Sequence, residues 1–111
     1  MYTIKTLQSA AGATGNGTAV ECKIAGKRSW RNLTLQVTGI TSATITWEAT
    51  IDGTNWVATG VLSLADLSTV ATTTTANGLF RVPVEGFTQF RARISTYATG
   101  TITVTGVLTA E

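Results

Sequence analysis

The groups that could do acid–base or nucleophilic chemistry are few. There are six carboxylates (Glu21, Glu48, Asp52, Asp66, Glu85 and Glu111), one thiol (Cys22) and no histidine. A glycoside-cleaving pair needs two carboxyls gathered roughly 5–9 Å apart in one cleft. These six are widely spaced, and Glu21 and Glu48 fall on outward phases of strand-like patterns, where a solvated or ion-paired carboxylate is the default. Without histidine, neither the serines nor Cys22 have the base that activates a nucleophile, and the commonest metal ligand is missing too. The glycines of GATGNG (12–17) do not lead from a strand into a helix with a lysine, so they form no phosphate loop. DGTN (52–55) supplies one aspartate, too few for a calcium loop. No enzymatic activity, cofactor or metal is expected.

Cations offer a different chemistry, adhesion. Lys27, Arg28, Trp30 and Arg31 share the turn AGKRSWR (25–31). Tryptophan and arginine are enriched as anchors at protein interfaces; the same residues also read as a solvated hairpin end with Trp30 capping the core. Arg81, Arg91 and Arg93 fall on outward strand phases. If the strands ending at Val84 and Ser95 are neighbours, these guanidinia form a stripe flanked by Thr103 and Thr105, suited to an acidic protein surface, or else an ordinary wet sheet face. The net charge of +2 is too small, and too dispersed, for a nucleic-acid partner.

These side chains must be positioned by strands. In ATITWEATIDGTNWV (43–57), Ile45, Trp47, Ala49 and Ile51 alternate with Thr44, Thr46, Glu48 and Thr50, the period-two signature of one buried and one wet face. Asp52-Gly53 supplies the turn. A two-residue turn sets Ile51 opposite Thr54, Ala49 opposite Trp56 and Trp47 opposite Ala58; a four-residue loop sets Trp56 opposite Ile51. Either register puts both indoles on the core face, where burying each contributes about 3 kcal/mol.

The same alternation puts Cys22 inward between Val20 and Ile24, and turns inward Leu33, Leu35 and Val37, then Phe80, Val82 and Val84, then Phe90, Ala92 and Ile94, then Ile102, Val104 and Leu108. Tyr2 to Gln8 reads as a weak first strand. Ser9 to Gly17 reads as a flexible glycine-rich loop or arm, while Thr38–Ser42 and Thr96–Gly100 read as connections. Val61–Leu67 fits a short strand or one helical turn; Ser68–Thr75 is extended. Pro83 cannot donate to a ladder, so its strand lies at an edge or ends there.

The chain has 111 residues, 43% apolar and only 13% charged, and about a fifth of it is threonine, a residue suited to pleated strands. That length fits a single domain with one core, residues 1–111. Seven to nine short strands at intervals of roughly 8–12 residues predict an all-β antiparallel sandwich or jelly roll. One cysteine allows no intrachain disulfide. The first ten residues lack the apolar core of a signal peptide, and no segment approaches the ~18 apolar residues of a membrane helix. A soluble protein made in a cytoplasm, with no membrane partner, is expected.

ITWEATIDGTNW (45–56), GLFRVPVEGFTQFRARIS (78–95) and GTITVTG (100–106) resemble β-sandwich modules of tailed-bacteriophage virions. In length and organisation the chain looks most like the capsid decoration proteins, also called cement or staple proteins, of epsilon15-like phages. The resemblance covers the C-terminal two-thirds and carries no catalytic or ligand residue with it. It implies a structural protein on the capsid exterior that binds the major capsid protein and bridges neighbouring subunits, with self-association as a homodimer. The competing expectation is a glycan- or receptor-binding jelly-roll module of a tail or baseplate, for which Trp30 and Tyr97 are the candidate stacking rings.

Overall fold

The computed structural model describes residues 1–24 and 28–110. Its strands are β1 (Tyr2–Ala11), β2 (Val20–Glu21), β3 (Lys23–Ile24), β4 (Arg28–Ser29), β5 (Asn32–Thr50), β6 (Val57–Ala58), β7 (Val61–Ser63), β8 (Val70–Ala71), β9 (Thr73–Thr74), β10 (Gly78–Pro83) and β11 (Gln89–Thr109). All pairing is antiparallel. The main path is β1–β11–β5–β10–β7–β8, with β2 added to β11 and both β6 and β9 to β5; β3 and β4 form a separate hairpin.

Two long strands organise the molecule. β5 and β11 pair from Asn32↔Thr109 to Thr50↔Gln89, and the irregularities of this ribbon lie between Ile94 and Thr103. There the ribbon bends, so its two ends lie in opposing layers. Gln8 on β1, which pairs with residues 102–109 of β11, donates its Nε2 to Ala92 O at 2.7 Å, in the other half. Phe80 on β10, paired to Leu35, meets Trp47 with ring centroids 5.4 Å apart. One layer is therefore β1, residues 102–109 of β11, residues 32–37 of β5, β10, β7 and β8. The other is β2, residues 89–97 of β11, residues 43–50 of β5, β6 and β9.

Thr38–Ser42 and Thr96–Gly100, expected as connections, are instead this bend, inside continuous strands. Glycine permits it. Gly39 has φ +86°, and a Cβ there would lie 1.7 Å from Thr101 O; Gly100 has φ +130°, and a Cβ there would lie 2.5 Å from Gly39 O. Two backbones approach where no side chain fits.

The core is the one the alternation marks. Leu33, Leu35, Val37, Ile45, Trp47, Phe90, Ala92, Ile94, Ile102, Val104 and Leu108 are all at most 1% exposed. Cys22 is fully buried, and burial pushes its thiol up to about 12, so it behaves as a small hydrophobe. Residues 61–67 divide between strand β7 and a turn in which the Leu67 N–H donates to Ser63 O at 3.0 Å. Pro83 ends β10. The Gly15 N–H donates to Ile94 O and the Ile94 N–H to Gly15 O, at 3.2 and 2.8 Å, laying the glycine-rich stretch against the edge of β11.

Candidate functional site

The central hairpin departs from both expected registers. Ala49 pairs with Val57 and Glu48 with Ala58, one residue away from either alternative. Because side chains alternate, a shift of one residue moves Trp56 to the opposite face. The cause is local. The Asp52 carboxylate accepts the N–H groups of Thr54 and Asn55, both at 2.8 Å, the Asn55 amide at 2.8 Å and the Thr50 hydroxyl at 3.0 Å. Thr50 Oγ1 in turn accepts the Gly53 N–H at 2.9 Å. These bonds favour a longer, self-capped loop over a tight turn. The N–H groups of Asn55 and then Thr54 hold the Asp52 carboxyl well below the usual carboxylate range. Ile51, expected in the core, is 75% exposed.

The loop delivers Trp56 to the outer face of the second layer, where the principal charged cluster of the fold lies. Glu48 pairs across the ladder with Arg91, and Thr46 with Arg93. Arg91 Nε donates to Glu48 Oε1 at 2.8 Å, its Nη2 reaches the same oxygen at 2.8 Å, and Arg93 Nε donates to Oε2 at 3.1 Å. The Arg91 guanidinium also stacks 4.1 Å from the Trp56 ring centroid, a favourable cation–π distance. Glu48, expected on a wet face, is thus buried beneath two arginines, one of them covered by the Trp56 indole. One carboxylate between two guanidinia leaves a net positive charge. Arg91 is largely enclosed, with 16% of its side chain exposed, whereas Arg93 keeps 35% open to solvent. Beside the cluster the Ser95 and Thr46 hydroxyls bond at 2.8 Å, and the Gln89 amide donates to Glu21 at 2.8 Å. A groove of about 340 Å³ runs between the Asp52 loop and Phe87, with Ile51 and Val57 (66% exposed) at its rim.

The expected three-arginine stripe is divided. Arg81 lies on β10 opposite Thr34 and Leu62, in the other layer from Arg91 and Arg93, and Thr103 and Thr105 flank neither of those two. The strands ending at Val84 and Ser95 are not neighbours because β10 pairs with residues 32–37 of β5, whereas the Gln89–Ile94 part of β11 pairs with Ile45–Thr50 at the other end. Arg28 is exposed on β4. Trp30 packs against the core, and its backbone N–H donates to Cys22 O at 2.9 Å. Arg31 is exposed at its side chain, while its backbone continues the pairing of β5 between β11 and β10: its N–H donates to Thr109 O and its carbonyl accepts the Val84 N–H, both at 2.8 Å. Lys27 lies outside the described residues. Among the described residues no three His, Cys, Asp or Glu side chains gather as a metal set. Sequence reasoning missed Glu48 and Trp56 as members of the cluster; the pattern D-G-T-N, with its self-capping side chains, was the available signal for the longer loop.

The XepA family model matches residues 2–108. The solved structure of the SPBc2 prophage-derived protein YomS superposes with a TM-score of 0.82 at 20% identity, covering 97% of this chain and 92% of that one. The PBSX exported protein XepA superposes with a TM-score of 0.85 at 17% identity, covering 97% of this chain and 37% of that one. The chain thus spans well under half of XepA's length. No curated protein sequence matches. With nearly its whole length matched, the chain belongs to the XepA family.

Proposed function

We propose that this chain is a non-catalytic structural protein of a bacteriophage particle that works by adhesion. In this reading it docks on the outer surface of the capsid, bridges neighbouring major capsid subunits, and pairs with a second copy of itself across a local two-fold. The observation that carries the reading is the phage-associated family match over residues 2–108. The outer face of the second layer supports it physically. Rigid strands present the exposed edge of Arg93, fixed by a buried carboxylate and therefore costing little conformational entropy on docking. A separate groove beside the Asp52 loop offers Ile51 and Val57 as apolar contacts. A partner that binds only the assembled lattice stabilises it by its binding free energy, summed over many copies. Cosedimentation with empty shells lacking the protein tests this reading, and saturable binding weakened by Arg93→Ala is expected.

A second reading has its own support. XepA is described as an exported protein, and a chain exported in the same way would meet cell-surface polymers. Trp30 and Tyr97 are poor platforms for stacking on sugars, since both are half-buried against the core. Recognition would need a different site.

A further inference from the structure

Trp47 is 1% exposed, its ring packed against Phe80 and, nearly parallel at 6.2 Å, Phe90. A buried indole N–H ordinarily finds an acceptor. Among the described residues this one meets no acceptor. Among the described residues no fully buried polar side-chain atom lacks a partner, so the indole N–H is the part of Trp47 that remains open. Trp47 lines a cavity of about 300 Å³ at the mouth of the sandwich, between β7, β8, β9 and β10. The little of Trp47 that is accessible therefore borders that cavity.

The cavity's chemistry narrows what it takes. Val61 and Phe80 supply apolar wall. Ser63, Thr73 and Thr74 line it with hydroxyls, groups that both donate and accept and so complement other hydroxyls; that of Thr74 also bonds the Ala76 backbone at 3.2 Å and that of Ser63 accepts the Ala65 N–H at 3.4 Å. No lysine or arginine lines it, and its one carboxylate, Asp66, is already occupied by the N–H groups of Ser68 and Thr69, both at 3.0 Å, and by the Thr69 hydroxyl. The Asn77 amide is held by the backbone of Ile40 at 2.8 and 3.2 Å. An anion would meet a carboxylate and no counter-charge. The volume is at the lower limit for ligand pockets, roughly 300–1,000 Å³.

We propose that this cavity is a binding site for a neutral hydroxylated ring the size of one sugar unit, its oxygen accepting from Trp47 Nε1–H and its C–H face lying on Phe80. The site is separate from the Glu48–Arg91–Arg93 cluster and does not depend on shell docking. The source is a free sugar or the terminal unit of a polysaccharide. The experiment follows the three indole N–H resonances of the ¹⁵N-labelled protein during titration with methyl glycosides of glucose, galactose and N-acetylglucosamine, and in a second arm with soluble polysaccharides ending in those sugars. Saturable movement of the Trp47 resonance with at least one probe, the Trp30 and Trp56 resonances staying still, is expected. Tighter binding in the second arm identifies the polymer as the source; equal binding identifies the free sugar. Trp47→Phe should abolish binding while keeping an aromatic core, and Thr73→Val, on an exposed position, should weaken it several-fold without touching the core. A Trp47 resonance unmoved by every probe in both arms, an indole N–H protected from solvent exchange, or binding undiminished in both variants overturns the proposal.

Discussion

Trp47 and Trp56 have the same side chain nine positions apart on one hairpin, and their surroundings give them opposite roles. Trp47 fills the core between Phe80 and Phe90, so Trp47→Ala should cost about 4 kcal/mol in chemical denaturation. Trp56 lies over Arg91 on the outer face, half-buried, and Trp56→Ala should cost about 1 kcal/mol. Equal losses would place both rings in one core. Glu48→Gln keeps the shape but leaves two guanidinia facing a neutral amide, one of them mostly enclosed; a loss of about 2 kcal/mol is expected, diminished only slightly by salt because the pair is partly buried. Alternation of residue types identified Trp47 as core. It could not reveal the burial of Glu48, because the covering side chains arrive from β11 and from beyond the Asp52 loop. Two other carboxylates, Asp52 and Asp66, act in acid. The Thr69 hydroxyl, followed by the Ser68 and Thr69 N–H groups, holds Asp66 down to about 2, and the Asp52 loop does the same further down. Depressed carboxyls stabilise the fold above their unfolded value, near 4, and that contribution disappears as pH falls toward the folded value. The melting temperature should therefore drop between about pH 4 and 2, and the drop should shrink when both aspartates are changed to asparagine.

Elements were legible where one face is dry and the other wet. Residues 32–37, 89–95 and 101–108 show that contrast, and each is strand with the expected side inward. The bend was not legible, since Gly39 and Gly100 look like loop glycines until the two strands are known to pass each other there. Gly39→Ala forces a side chain into left-handed backbone 1.7 Å from Thr101 O, and a loss of at least about 2 kcal/mol is expected. Ile51→Thr tests the hairpin register in the other direction. At 75% exposure it should change stability by less than about 0.5 kcal/mol; a core-sized loss would restore the two-residue turn. The register escaped the sequence reading because Asp52-Gly53 fits a tight turn equally well, and only the hydrogen bonds from Thr50, Thr54 and Asn55 decide between them.

At the scale of the whole molecule, a bent two-stranded ribbon builds both layers. The all-β sandwich was readable because threonine-rich alternation recurs along nearly the whole chain. The meeting of Arg91, Arg93 and Glu48 depends on pairing across more than forty positions, which no local pattern encodes, and the same long-range pairing separates Arg81 from them. Adhesion to a phage shell is tested most directly by sedimenting fluorescently labelled protein with empty capsid shells that lack it, using Arg93→Ala in parallel. Saturable pelleting with a fixed number of copies per shell, weakened in Arg93→Ala while its melting curve stays close to that of the parent protein, is the predicted result. Folded protein that remains in the supernatant at every shell concentration would contradict it.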